Sequence, residues 1–177
     1  MTTATTGTVR AIHIAPEASA PMASRERIEA VAGSGLRGDR YFRGEGTYSN
    51  SARDVSREIT LIEAETLEAV QRDYDIDLSP GEHRRNVTTG GVALNHFVGE
   101  CFRVGEAVCE GVELCAPCSY LKRLLEREGV HNALVHRGGL RARIVEGGET
   151  AVGDHVQTGD RDEIDASEPQ SGEPRVQ

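Results

Sequence analysis

The chain has 177 residues, 37% of them hydrophobic and none of them Trp, which is enough for one domain with an aliphatic core. Its formal net charge of −9 excludes broad nucleic-acid binding, which needs a cationic footprint. No apolar run approaches the roughly 18 residues of a membrane span, and the N-terminus lacks the basic-then-apolar order of a signal peptide, so a cytoplasmic protein away from membranes is expected.

Of the 20 basic residues, 19 are arginine and Lys122 is the single lysine. This acidic, lysine-poor, halophile-like composition is what a protein adapted to high salt is expected to show. The 20 glycines imply many turns, hence many short strands. The expected class is mainly β with a few helices (α+β).

Residues 1–6 read as a frayed start and 7–159 as the domain. Thr8 to Ile14 alternates as a first strand, and Arg27 to Ala32 is a weaker second one. Gly33-Ser34-Gly35-Leu36-Arg37-Gly38-Asp39-Arg40-Tyr41 is a glycine-rich turn that lets the backbone approach a ligand closely, or simply a tight turn with solvated charges. It matches neither a dinucleotide-binding fingerprint nor a P-loop. Thr60 and Glu63 have capping-box spacing, and Leu67, Val70 and Tyr74 recur at helical intervals, so a helix is expected from about Ile62 to Asp73.

Arg84 and Arg85 precede a strand-like run. On a strand they point to opposite faces, one toward a pocket and one toward solvent. Asn95 to Gly99 reads as a turn. Cys101–Val104 and Ala107–Leu114 read as a hairpin joined at Gly105-Glu106. The second strand delivers Cys115 and Cys118. An amphipathic helix is expected from Pro117 to Glu128, stopped by Gly129. His131 to Leu140 is turn-rich, and strands follow at Arg141–Val145 and Thr150–Val156. Residues 160–177 hold six acids and two arginines with little to bury, and are expected to be a disordered acidic tail.

The chemistry centres on Cys118. In the first turn of a helix its thiol is favoured as thiolate, the form that attacks electrophiles and binds soft metals. Other readings of the Cys115/Cys118 pair are half of a zinc site completed by His131 and His136, a thioredoxin-type redox pair, or two buried structural cysteines. Cys101 and Cys109 read as structural. Lys122 lies on the polar face of the expected helix, a poor place for a Schiff base, so pyridoxal phosphate is not expected in this chain. Arginine suits bidentate phosphate recognition, and Arg37, Arg40, Arg84, Arg85, Arg137 and Arg141 are the candidates. Together these residues point to a phosphate-bearing cofactor that contains sulfur or metal.

The order GLRGDRY (35–41), REITLIEAETLE (57–68), RRNVTTGG (84–91), FRVGEAVCEGVELCAPC (102–118) and RARIVEGGETAVGDHV (141–156) resembles a MOSC domain. That is the domain shared by molybdenum cofactor sulfurases and amidoxime-reducing molybdoenzymes. The resemblance covers about 150 of the 177 residues. It implies a compact β-barrel-like fold that binds the molybdenum cofactor, a molybdenum-bearing pterin. It also implies that Cys118 is the thiolate ligand to molybdenum and the catalytic residue. Asp39, Tyr41, Arg84, Arg85 and Asn86 would line the cofactor pocket, with Arg137 a weaker match, and Arg37 and Arg40 are cofactor-binding candidates on their arginine chemistry.

The sequence has no counterpart of the sulfurases' pyridoxal-phosphate domain, so extraction of sulfur from cysteine is not expected. The reductases' N-terminal extension also has no counterpart. The implied activity is reduction of small N-hydroxylated substrates, with electrons from a separate donor protein. The alternative is a sulfur carrier or cofactor-delivery module without turnover of its own.

Overall fold

A computed structural model describes residues 6–44, 57–115, 125–126 and 129–159. The strands are β1 (Thr6–Ile14), β2 (Ala23–Arg25), β3 (Arg27–Val31), β4 (Gly35–Leu36), β5 (Ile59–Glu63), β6 (Val87–Gly90), β7 (Cys101–Val104), β8 (Ala107–Leu114), β9 (Leu140–Glu146), β10 (Gly148–Ala151) and β11 (His155–Thr158). The helices are α1 (Ala64–Tyr74) and the short α2 (Val130–Ala133), and a 3-10 turn spans Leu94–Phe97.

The large sheet runs β11-β7-β8-β9-β5-β6-β1-β2, and a further β11–β1 pairing closes its first seven strands into a barrel. Closure leaves only β2 hanging on the outside of β1. A second sheet, β10-β3-β4, sits beside the barrel. The interior is filled by Val9, Ile12, Leu61, Val87, Phe102, Leu140 and Val156, with Phe97 tilted against Phe102 at a centroid distance of 5.1 Å. The expected mainly-β class and barrel-like architecture hold.

β5 and β6 are the parallel pair, and α1 is the crossover that parallel strands require. β5 is therefore covered on both faces. Leu61 packs into the barrel, while Ile62 packs outside with Val70, Val130, Ala133 and Leu134. This two-sided burial explains the unbroken apolar run.

Three local expectations are corrected. Thr60–Glu63 is not a capping box but the body of β5. Its backbone is engaged by β6 and β9, so the helix starts at Ala64 with Glu63 as N-cap and no side-chain cap. Arg84 and Arg85 do not alternate on a strand. Arg84 takes a left-handed φ of 65° in a turn, and the strand begins at Val87. Thr150–Val156 is not one strand. A turn at Val152–Asp154, with Gly153 at φ 93° and Asp154 Oδ2 accepting Ala151 N–H at 2.8 Å, sends β10 to the small sheet and β11 to the barrel.

The β7–β8 hairpin has the expected register, Val104 opposite Ala107. Most of the helix expected over 117–128 and the acidic tail at 160–177 lie outside the described residues, as do residues 1–5 of the expected frayed start.

Candidate functional site

One mouth of the barrel is built from four chain segments that bond to one another. They are the end of β1, the turn before β6, the turn before β9, and Cys115 just after β8. His13 N–H donates to Asn86 O at 2.7 Å, Arg85 Nε to Gly138 O at 2.8 Å, and Cys115 N–H to Gly139 O at 2.7 Å. Gly138 and Gly139 are required by this close approach. A Cβ on the first would collide with Cys115 O and one on the second with Leu61 O, and Gly139 also has φ 103°.

Asp39 braces the glycine-rich turn against β1. Its buried carboxylate accepts Ala15 N–H at 3.1 Å, Tyr41 N–H at 3.2 Å and Arg40 Nη1 at 3.2 Å, while Arg40 N–H donates to Ala15 O at 2.7 Å. Arg40 is itself buried. Its guanidinium lies 4.8 Å from the centroid of the half-buried Tyr41 ring and reaches Met22 Sδ at 3.5 Å. Asn86 ties three strands together. Its Oδ1 accepts from Thr60 N and Oγ1, and its Nδ2 donates to His13 O.

Arg84 and Arg85 are drawn into the same end. Arg84 Nη1 donates to Ala20 O, and Arg85 Nη1 donates to His83 O at 3.1 Å. Two other arginines are placed elsewhere. Arg37 is exposed and ion-paired to Glu29 at 2.7 Å. Arg137 Nε donates to Ala133 O at 2.6 Å, with its guanidinium 3.9 Å from Asp73 and 5.8 Å from the Tyr74 ring centroid. Cys118 lies outside the described residues.

Two histidines that spacing rules pass over belong to this mouth. His13 and His83 are buried edge-to-face, with centroids 5.7 Å apart. Burial, then the positive charge of Arg85, then His13, push His83 down to about 3, so it is neutral at pH 7. Burial lowers His13 too. Arg85 N–H donates to His83 Nδ1 at 3.0 Å, and this hydrogen bond assigns the His83 proton to Nε2. His13 Nδ1 is buried with no hydrogen-bond partner among the described residues. No sequence signal marked them: strict alternation around Ile12 and Ile14 would put His13 in solvent, but the end of β1 is buried on both faces.

The cysteines divide clearly. Cys109 is buried in the core, where burial first, then Glu58 and Cys101, push its thiol up to about 12, so it is chemically inert. Cys115 is 3% exposed and adjoins the Arg141 guanidinium. Burial pulls Arg141 down, but the Cys115 sulfur and Glu113, the latter at 3.0 Å, outweigh it and raise Arg141.

The donor set fits an anionic organic cofactor. Arg40, Arg84 and Arg85 outnumber the Asp39 carboxylate they share this end with, and the buried His13 Nδ1 has no partner among the described residues. Among the described residues no group of three metal-ligating side chains occurs. A metal carried by its own organic cofactor needs only one protein ligand, so this donor set remains suitable for it.

A closed seven-stranded β-barrel with an arginine-rich mouth beside a cysteine defines the class of protein. The MOSC domain family model matches residues 3–157, and the chain belongs to that family, which is associated with molybdenum-cofactor binding. The YuaD protein from Bacillus subtilis is similar in fold, with a TM-score of 0.72 at 14% identity over 89% of this chain and 98% of that one. YiiM from Geobacillus stearothermophilus gives 0.67 at 14% over 88% and 76%, and YiiM from Escherichia coli gives 0.61 at 15% over 88% and 70%. No curated protein sequence matches the chain. Among the described residues no helix is long and apolar enough to cross a membrane.

Proposed function

We propose that the protein binds the molybdenum cofactor at the barrel mouth and is an oxidoreductase for small N-hydroxylated substrates. The observation that carries this reading is Arg85 held against the neutral His13–His83 pair, with the buried Arg40 and Arg84 in neighbouring turns, in the segment network that also positions Cys115. Guanidiniums at this end are suited to the cofactor's phosphate. The His83 Nε2–H is an uncharged donor at neutral pH and suits a carbonyl or ring nitrogen of the pterin.

Cys118 is the proposed thiolate ligand. It follows Cys115 by three positions, so covalent geometry keeps its Cα within about 11 Å of the Cys115 Cα. When bound, the cofactor supplies a two-electron centre. The overall reaction converts R–NHOH, two electrons and two protons to R–NH2 and water, with the electrons delivered by a separate donor protein. The chain's own residues hold the cofactor's anionic end and provide the thiolate.

The test is molybdenum and pterin content, with hydroxylamine or amidoxime reduction by a reduced viologen dye. Wild type and Cys118→Ser are compared after anaerobic purification from a cofactor-producing host. Near-stoichiometric molybdenum and turnover in wild type, both lost in the variant, are expected. Pterin binding without turnover, or a persulfide mass on Cys118, establishes the carrier reading instead. Absence of both metal and pterin after reconstitution overturns both.

A further inference from the structure

A cleft of about 350 Å³ lies between the small sheet, the end of β1 and the glycine-rich turn. Its floor is apolar, because Ile14 and Ile28 face it from the main core. Its walls carry Arg25, Arg27, Arg37 and Arg43 against Glu29 and Glu149. Both glutamates are already paired. Glu29 holds Arg37 through contacts of 2.7 and 3.4 Å, and Glu149 holds Arg27 at 3.4 Å.

Arg25 and Arg43 are left over. Among the described residues neither has a carboxylate partner, and the Arg25 guanidinium donates only to the carbonyl of its neighbour Ser24, at 3.1 Å. In a chain of net charge −9, carboxylates are plentiful, yet the described residues that line this cleft carry a surplus of two positive charges. Like charges on one concavity repel, and a bound dianion turns that repulsion into attraction.

We propose that this cleft binds a small phosphate monoester. The dianionic head is held by the guanidinium forks of Arg25 and Arg43, and the organic part lies on Ile14 and Ile28. Two guanidiniums match a phosphate's charge and offer paired N–H donors to its oxygens. The apolar floor gives an ester an advantage over inorganic phosphate. The site is independent of the proposed cofactor reading, because Arg40, Arg84, Arg85 and Cys115 do not line it.

A phosphate monoester can be a free metabolite or the phosphate end of the pterin cofactor, and the experiment separates the two. Phenyl phosphate and inorganic phosphate are titrated calorimetrically at low salt into the full-length protein and into R25S/R43S. Both substituted residues are exposed, so the thermal midpoint should be unchanged and serves as the folding control. The expected result is saturable phenyl phosphate binding, weaker inorganic phosphate binding, and affinity lowered about tenfold or more in the variant, with pterin content unaltered. Absence of saturable binding, or equal affinity in the variant, overturns the proposal. Loss of pterin in the variant also overturns it, since the cleft then serves the cofactor. Failure with metal and pterin retained leaves the molybdenum reading intact.

Discussion

Asn86 and Thr60 are bound to each other through both backbone and side chain. Asn86 Oδ1 accepts Thr60 N–H at 3.1 Å and Thr60 Oγ1–H at 3.0 Å, while Asn86 N–H is shared between Thr60 O at 3.0 Å and Thr60 Oγ1 at 3.1 Å. Both residues are buried, so no water can replace a lost partner. Asn86→Ala leaves Thr60 N and His13 O without their side-chain partner and is expected to cost about 2–4 kcal/mol. Urea unfolding checks it: the midpoint should fall with an unchanged slope. A loss below about 0.5 kcal/mol would show that the bonds are replaceable.

Stability should depend on pH through His83. Its folded value of about 3 lies below the 6.5 of the unfolded chain, so between these values the unfolded state binds more protons. Stability is therefore fully present above about pH 6.5 and falls as pH drops toward 3, by up to about 1 kcal/mol per unit. His13 acts in the same direction. Urea midpoints at pH 7, 6, 5 and 4 should decline in wild type and decline less in His83→Gln. Parallel declines would assign the effect to other groups.

Gly138→Ala places a methyl group against the Cys115 carbonyl, which is backbone and cannot rotate away. The expected cost is about 2–4 kcal/mol. Pterin retention should fall as well if Cys115 and the arginine mouth hold the cofactor together. Gly33→Ala is the comparison. Gly33 has φ 74° and open space around it, so only backbone strain of about 1 kcal/mol applies, and pterin retention should be unchanged. Equal effects of the two variants would contradict the steric account.

The charge of −9, with a single lysine, predicts stability that grows with salt. Screening relieves self-repulsion among the carboxylates. The thermal midpoint should rise from about 0.1 M to 2 M KCl and rise less in variants that replace surface Glu with Gln. A flat profile would remove the high-salt interpretation.

What was legible in the sequence follows from the range of each interaction. The strand at Thr8–Ile14 and the Gly105-Glu106 turn are local and both are found where the pattern puts them, but the alternation of that strand ends at Ile12, since Ile12, His13 and Ile14 are all buried. Barrel closure is not local: alternation tells which face is buried, not which strand lies alongside. Thr60–Glu63 shows a local signal losing to a distant one. The capping-box spacing is present, but Asn86 and the neighbouring strands engage that backbone first. The arginines were visible as residues and not as contacts, since Arg37 and Arg137 pair with Glu29 and Asp73. His13 and His83 meet only because β1 and the turn before β6 share one end of the barrel.

The pairing of β1 with β11 has a kinetic consequence. Thr6 lies opposite Gln157, so the first half of β1, whose last residues pair with the nearby β2, meets β11 only when nearly the whole domain exists. During synthesis the β11-facing edge at Thr6–Thr8 must wait, open to any other chain. Such long-range closure slows folding relative to local topologies. The late arrival of β11 is thus the step at which a nascent chain is most exposed to mispairing, and truncation just before His155 should yield aggregation rather than a smaller folded barrel.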